Sequence, residues 1–450
     1  MSDLYKNVHF IGIGGISMSA LAKILLSNGV KVSGSDITPT KITEELESMG
    51  AIITIPHDAG CIKEPDIVVY TSAIADDNPE LVAARSKGIK LVERAEMVGN
   101  IMKNYKFPIA VAGTHGKTTS TSMLVYIMAE TNLDPTAMVG GELDILGGNL
   151  KVGKSQYMIT EACEYRRNFL KFSPFIGIIL NIEADHLDYY KDLDDVISAF
   201  EDFASLIPKE GALIINGDDE NCIKAAKNAK CKVISAGIKN GDYKAENISY
   251  DDFGYASFDV VKSGNIIMSV TLSVPGEHNI YNALCTIAAS LELTDDTDGV
   301  GRGLEKFRGA KRRFEKKGEV DGILVIDDYA HHPTEIKATL SAVSKIRAAR
   351  CWCVFQPHTY TRTKSLFNEF SRELAAAENL VIADIYAARE KDTGLVSSAE
   401  LADSIEGAKY INGFDNILAF FKENSKPGDI ILTMGAGDIF KVGEMFLDKK

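Results

Sequence analysis

Seven consecutive residues, Gly113-Thr114-His115-Gly116-Lys117-Thr118-Thr119, combine what phosphate binding needs. Glycines let backbone N–H groups approach an anion closely, and a helix starting at the lysine adds its positive end. Lys117 then reaches the β- and γ-phosphates, and the Thr118 hydroxyl holds a divalent ion beside them. The loop is shorter than GxxxxGK[ST], because Val111 stands where the first glycine would be. Glu161 in TEACEYRRNFL and His186 in NIEADHLDYY each close an apolar run. A carboxylate and a neutral imidazole suit a divalent ion at the γ-phosphate, provided their strands flank the phosphate-loop strand. Asp185 and Asp188 read as caps for the next helix rather than as metal ligands.

Other candidates follow the same logic. In GEHNIYN, Asn279 and Asn282 lie three apart behind His278. Two amides on one helix face can read an adenine edge, and Asn279 alone can cap the helix. Asp328, Tyr329 and His331 sit in DDYAHHPT, and His358 and Arg362 in QPHTYTR. A histidine with an arginine at a strand end can clamp a carboxylate. Arg312 and Arg313 open a basic run and read equally as phosphate contacts or as a solvated face. At the N-terminus, Gly12-Ile13-Gly14-Gly15-Ile16-Ser17 follows a strand and Asp36 ends the next. The third glycine of the dinucleotide fingerprint is Ser17, so this pattern supports a diphosphate-bearing nucleotide at the helix start without securing NAD.

The elements that must position these residues are short β-branched runs alternating with amphipathic stretches: NVHFIGIG, DIVVYTSA, FPIAVAGT, YMITEA, FIGIILNIE, GALIING, GILVIDD, CWCVFQP, NLVIADI and DIILTMG. Apolar on both faces and each followed by a turn and a helical pattern, they predict parallel sheets covered by helices. Three α/β blocks are expected: 1–106, 107–314 and 315–450. A polar insert, KNGDYKAENISYDDFGYASFDVVKSGNIIMSVTLSVPG, alternates as antiparallel strands do.

The 450 residues carry 49 Lys and Arg against 63 Asp and Glu, a net charge of −14. That balance argues against nucleic acid or an anionic membrane as partner. No apolar run approaches 18 residues, and MSDLYKNVHF lacks the features of a signal peptide. Seven scattered cysteines, an odd number, point to reduced thiols and a cytoplasmic location. Cys351 and Cys353 form a CxC whose alternation puts both thiols on one strand face, and no CxxC pair exists to hold zinc.

Taken in order, GIGGISMSALA, TSAIADDNPE, ERAEM, GTHGKTT, EACEYRRNFL, NIEADHLDYY, GEHNIYNAL, DDYAHHPTEI, FQPHTYTRT and MGAGDI resemble the Mur ligase family over essentially the whole chain. The resemblance implies a Rossmann-like N-terminal domain, a central P-loop ATPase and a Rossmann-like C-terminal domain. It implies an ATP-dependent amide-forming enzyme of peptidoglycan precursor synthesis, with Mg²⁺ or Mn²⁺, acting on UDP-N-acetylmuramate and L-alanine as a monomer or weak homodimer. By position, Gly113 through Thr119, His278, Asn279, Asn282, Arg313 and Asp328 would serve ATP. Thr118, Glu161 and His186 would serve the metal. Gly12, Gly14, Gly15, Ser17, Asp36, Thr71 and Ser72 would face UDP. Tyr329, His331, His358 and Arg362 would face the muramyl-alanine end, with Lys117, Glu161, His186, His358 and Arg362 carrying the chemistry. Some relatives carry Arg where this chain has Thr359, and several sister ligases place a carbamylated lysine where this chain has Glu201. The alternatives are a ligase that attaches a preformed tripeptide to the same sugar nucleotide and, from another class, a nucleotide-binding module without catalysis. An NAD-dependent dehydrogenase would explain Gly12–Ser17 and Asp36 but leave GTHGKTT unexplained.

Overall fold

The computed structural model describes residues 5–71, 73–187, 189–388 and 390–448. The chain divides into two compact units: Met1–Lys244, Lys262–Asn265 and Asn282–Gly303 in the first, and Ala245–Val261, Ile266–Tyr281 and Leu304–Lys450 in the second. Three mostly parallel sheets, each covered by helices, realise the α/β reading.

The first sheet belongs to the first unit. Its five parallel strands run in the order Ile52–Thr54, Lys31–Ser35, Asn7–Ile11, Ile67–Tyr70, Lys90–Glu93. Chain order reverses on either side of Asn7–Ile11, so the ends of that strand and of Ile67–Tyr70 bracket the crevice where open parallel sheets bind ligands. The Gly12 turn and Thr71 stand there. Ser72 lies outside the described residues.

The second sheet has Phe107–Ala112 near its middle, between Ile176–Ile179 and Tyr157–Glu161. Ala212–Asn216 and Lys232–Gly237 extend it on one side, and Thr136–Leu143 with the antiparallel Gly148–Lys151 on the other. The phosphate-loop strand is thus flanked by the strands that end in Glu161 and precede His186, as the sequence reading required. One apolar core runs through both sheets of this unit. It includes Phe10, Leu21 and Val98 from the first region and Phe169, Phe200 and Phe203 from the second. Phe169 packs edge-on to Phe200 and stacks on Phe203.

In the second unit, residues of the polar insert form the expected strands. The central strand's Asp259 accepts from Asn247 on one neighbour and Ser269 on the other. The C-terminal sheet runs Glu315–Val320, Ile323–Asp328, Ile430–Met434, Cys351–Phe355, Asn379–Ile382, Lys409–Tyr410, with only the first strand antiparallel. Cys353 packs with Phe355 and Leu432 on one face, with Cys351 against that cluster, while Trp352 and Val354 pack into the opposite layer. Both thiols share a face, as the alternation indicated. The two edge strands escaped the sequence reading. EKKGEV and KY carry charge because an edge strand is paired on one side and half exposed, so it has no apolar run to show. Among the described residues, no helix is long and apolar enough to cross a membrane, and all seven cysteines are free thiols.

Candidate active site

The phosphate loop is built where Phe107–Ala112 ends and the helix Lys117–Glu130 begins. Gly116 is the helix N-cap with φ +83°, and a Cβ there would lie 2.6 Å from Asn282 Oδ1. Only glycine fits both the backbone and the space. Asn181 fixes the loop from the neighbouring strand end: its side-chain oxygen accepts from His115 N (2.7 Å), its Nδ2 donates to His115 O (3.1 Å), and its own carbonyl accepts from Thr114 N (3.0 Å). Thr114 Oγ1 accepts from Glu183 N at 2.9 Å. The first helical bond runs from Ser120 N to Gly116 O. The N–H groups of Lys117, Thr118 and Thr119 therefore leave the helix start without intrahelical acceptors and face an incoming anion.

Lys117 folds back over this loop. Its Nζ donates to Gly113 O (2.5 Å), Thr114 O (3.0 Å) and the Glu164 carboxylate (2.9 and 3.2 Å). Burial works against the ammonium, but Glu164 and its neighbours outweigh that, so the Lys117 pKa is raised and the group stays charged. Burial and the Glu164 charge push the Cys163 thiol up. Glu164 is buried, and Tyr190 Oη donates to its backbone carbonyl.

Glu164 is a residue that sequence reasoning passed over in favour of Glu161, three positions earlier. One ligand atom each from Glu164, Asp185 and His186 lie within 4.8 Å of one another. Two carboxylates and an imidazole beside a phosphate loop form a donor set suited to Mg²⁺ or Mn²⁺. Glu161 stands outside this cluster, and its carboxylate accepts from Gly140 N at 2.6 Å. It lines a cleft with Ser17, Arg94, Gly140, Asn149 and Cys163. That cleft joins the helix behind the Gly12 turn to the strand ends beside the phosphate loop, and Arg94 is its cation. Asp185 does not cap the following helix, contrary to expectation. Its Oδ1 accepts from His186 N, and Asp192 caps Leu193–Ser205. Asp188 lies outside the described residues. Glu201 sits on that helix, one turn before its end.

The Gly12 turn is closed by the end of the neighbouring strand. Gly12 N and Ile13 N donate to Ser35 O at 2.9 Å, and Gly14 N to Asp36 Oδ2 at 2.7 Å. Asp36 also accepts from Ile37 N. Gly15 caps the helix Ile16–Ser27, which places Ser17 in its first turn. Thr71 Oγ1 accepts from Ala73 N.

His278 begins the helix His278–Ser290, and its ring folds over Gly276. Asn279 is buried, and its Nδ2 donates to Pro275 O at 2.7 Å. Asn282 is buried beside Gly116.

In the second unit, Asp328 Oδ1 accepts from Ala330 N (2.7 Å) and Thr339 Oγ1 (3.2 Å), and Oδ2 from Phe314 N (2.7 Å). Burial raises its pKa to about 6. Arg312 is held at Asp327 and Gly435 O and packs over the rings of Tyr329 and Phe440. Arg313 lies over the same Tyr329 and 3.6 Å from Glu335. The two arginines are thus placed differently: Arg312 is a fixed structural strut, and Arg313 sits in a charged cluster. His331 and His358 face each other with ring centroids 6.0 Å apart, and His358 stacks on Tyr386. Arg362 NH1 stands 3.5 Å from His358 Nδ1. Thr359, between them, holds φ +66°, costly for a β-branched residue, and is secured by Thr359 N on Tyr386 O and Tyr386 N on Pro357 O.

Residues 7–106 match the family described as Mur ligase family, catalytic domain; residues 111–290 match the Mur ligase middle domain; residues 312–437 match the Mur ligase, glutamate ligase domain. The chain is 54% identical to a UDP-N-acetylmuramate–L-alanine ligase of Clostridium acetobutylicum and 53% identical to that of Clostridium novyi, over 100% of this chain and 99% of each relative. Among solved structures it is similar to a UDP-N-acetylmuramate–alanine ligase of Thermotoga maritima, with a TM-score of 0.81, 31% identity and 98% of both chains covered. A murein peptide ligase of Psychrobacter arcticus aligns with a TM-score of 0.72 and 27% identity, again over 98% of both chains.

Proposed function

The chain belongs to the Mur ligase family, and from that premise we propose that it joins L-alanine to the lactyl carboxylate of UDP-N-acetylmuramate, converting ATP to ADP and phosphate. The observation that carries this reading is end-to-end identity of 53–54% with ligases named for that reaction. The phosphate loop and its lysine stand intact beside it.

A carboxylate does not react with an amine at neutral pH because oxide is too poor a leaving group. Transfer of the γ-phosphoryl group makes an acyl phosphate, whose phosphate can leave when the amine attacks. Moving a phosphoryl group between two anions requires positive charge at the transition state. Here Lys117 supplies it, with the N–H groups of the Lys117–Glu130 helix start behind it. To do so, Lys117 exchanges its contacts to Gly113 O, Thr114 O and Glu164 for phosphate oxygens. Asn181 keeps the loop in place during that exchange. A divalent cation, Mg²⁺ first and Mn²⁺ as a substitute, would be held by Thr118, His186, Glu161 and the Glu164–Asp185 pair, and when bound supplies further charge neutralisation.

In this proposal residues 1–106 bind the sugar nucleotide, 107–314 bind ATP and 315–450 receive the amino acid. Gly12, Gly14, Gly15, Ser17, Asp36, Thr71 and Ser72 face UDP, with Asp36 shaping the turn. Arg94, in the cleft beside Ser17, receives the lactyl carboxylate. Asn282 and Asn279 serve the adenine side together with His278. Asp328 orders the segment that carries Arg313. Arg362 and His358 meet the alanine carboxylate, and Tyr329 and His331 its amine. The reaction proceeds in the cytoplasm, where ATP and nucleotide sugars are available.

Phosphate release from ATP in the presence of UDP-N-acetylmuramate tests the assignment. The reading predicts release that requires L-alanine, with an amide product by mass. Release driven only by a preformed tripeptide would assign the chain to murein peptide recycling. No release with either would leave a nucleotide-binding module.

A further inference from the structure

The amide-forming step needs a group to take the amine's proton, and two histidines of the second unit stand close enough together to compete for that role. Their hydrogen bonds separate them. His331 Nδ1 lies 3.0 Å from Tyr329 O and 3.2 Å from Glu335 Oε2. Both partners only accept, so Nδ1 carries the hydrogen and Nε2 the lone pair. His358 Nδ1 faces Arg362 NH1, which only donates. Its Nδ1 therefore carries the lone pair and its Nε2 the hydrogen.

We propose that His331 Nε2 accepts the proton of the attacking amine and that Glu335 is the positioning residue that fixes His331 in this tautomer and stabilises the imidazolium; His358 acts as a hydrogen-bond donor. The inference rests on the ligase reading above. In the step, the amine nitrogen forms a bond to the acyl-phosphate carbonyl carbon and the C=O pair moves onto oxygen. The N–H proton passes to His331 Nε2. The oxyanion pair then returns as the C–O bond to phosphate breaks, and the imidazolium releases its proton to solvent.

Glu335 is built for this. Its Oε2 accepts from His331 N (3.1 Å) and His332 N (3.3 Å), a capping-box carboxylate at the start of the helix Pro333–Val343. Those bonds hold the carboxylate against the ring. Burial lowers the His331 pKa to about 4. Arg362 and Arg313 push it in the same direction, while Glu335 and Tyr329 O oppose them. The ring is therefore neutral and able to accept at working pH. An amino-acid carboxylate that engages Arg362 offsets one of the charges opposing protonation, so base strength rises when the substrate is present.

Hydroxylamine separates the two half-reactions, because it is a neutral nucleophile near neutral pH and traps an acyl phosphate without a strong base. The full chain, Glu335→Gln, His331→Asn and His331→Ala are assayed with ATP and UDP-N-acetylmuramate, with hydroxylamine or L-alanine as acceptor. Glu335→Gln keeps a carbonyl oxygen for His331 N and His332 N, so the helix start is preserved. The proposal predicts that the ratio of alanine amide to hydroxamate falls at least tenfold in Glu335→Gln and His331→Asn. It predicts that free imidazole restores amide formation in His331→Ala, and that the KM for ATP changes less than threefold in Glu335→Gln. An unchanged ratio in both variants, or equal loss of amide and hydroxamate with no imidazole rescue, would overturn it. Absence of both products in the unaltered chain would instead overturn the ligase reading, and this inference with it.

Discussion

Two strand–turn–helix segments in the first unit begin from similar glycine-rich sequences and end in different chemistry. In Gly12–Ser17 the N–H groups of the turn are taken up by the neighbouring strand end: Gly12 and Ile13 donate to Ser35 O, and Gly14 to the Asp36 carboxylate. In Gly113–Thr119 the turn is likewise held by a neighbouring strand end, through the Asn181 amide, but the helix opens on Lys117, which faces Glu164. Glycine supplies the sharp turn in both. The residue after the last glycine, and the partner that holds it, decide how much negative charge the helix start can receive. An uncharged opening suits a ligand held by many contacts along a crevice. A lysine opening suits a phosphoryl group in transit.

The sharpest way to break this contrast is Lys117→Ala. Turnover, read as ADP formation, falls by at least about 10³-fold, the scale expected for removing a charge from a phosphoryl-transfer site. Asp36→Ala leaves the KM for ATP unchanged. Next come paired alanine substitutions. Gly116→Ala places a side chain at φ +83° against Asn282, and Gly14→Ala places one 2.8 Å from Asp36 Oδ2. A left-handed Cβ costs roughly 1–2 kcal/mol, so Gly116→Ala lowers kcat/KM for ATP about tenfold. Gly14→Ala raises the KM for the sugar nucleotide alone. Steady-state kinetics with each substrate varied separates the two.

A third substitution tests the partner. Glu164→Gln leaves a buried lysine without its counter-charge, which lowers stability by about 2 kcal/mol, read as the urea midpoint. Saturating ATP recovers more of that loss in the variant than in the unaltered chain, because phosphate replaces the missing charge.

The smallest effect concerns the carboxylate that closes backbone turns in the second unit. Asp328 titrates near 6 when folded, above an unfolded carboxylate. A raised folded pKa contributes stability that is present below the unfolded value and lost as pH rises through about 6. The stability difference between the unaltered chain and Asp328→Asn is therefore larger at pH 5 than at pH 7, by about 1 kcal/mol. Denaturant titrations at the two pH values measure it.

The sequence showed most of the strands that are buried on both faces, because such strands read as continuous apolar runs, and it showed the glycine turns at Gly12 and Gly113. It could not show register. Placing Phe107–Ala112 between the strands ending in Glu161 and preceding His186 depends on which runs become neighbours. For the same reason Glu164 was not legible: three residues beyond Glu161, it turns inward through the irregular segment after the strand and meets Lys117. Asn181 and Arg94 were missed alike, since a lone amide or arginine in a mixed-polarity stretch carries no pattern. Asp36 was found for its spacing as the acid of the nucleotide fingerprint, and its carboxylate accepts from Gly14 N in the turn.

The central claim is that the two helix starts divide the anions between them, and calorimetric titration of ATP and of UDP-N-acetylmuramate into the unaltered chain and Lys117→Ala tests it directly. The account predicts that Lys117→Ala loses ATP binding at least tenfold and binds the sugar nucleotide with unchanged affinity. Retained ATP affinity together with weakened sugar-nucleotide binding would contradict it.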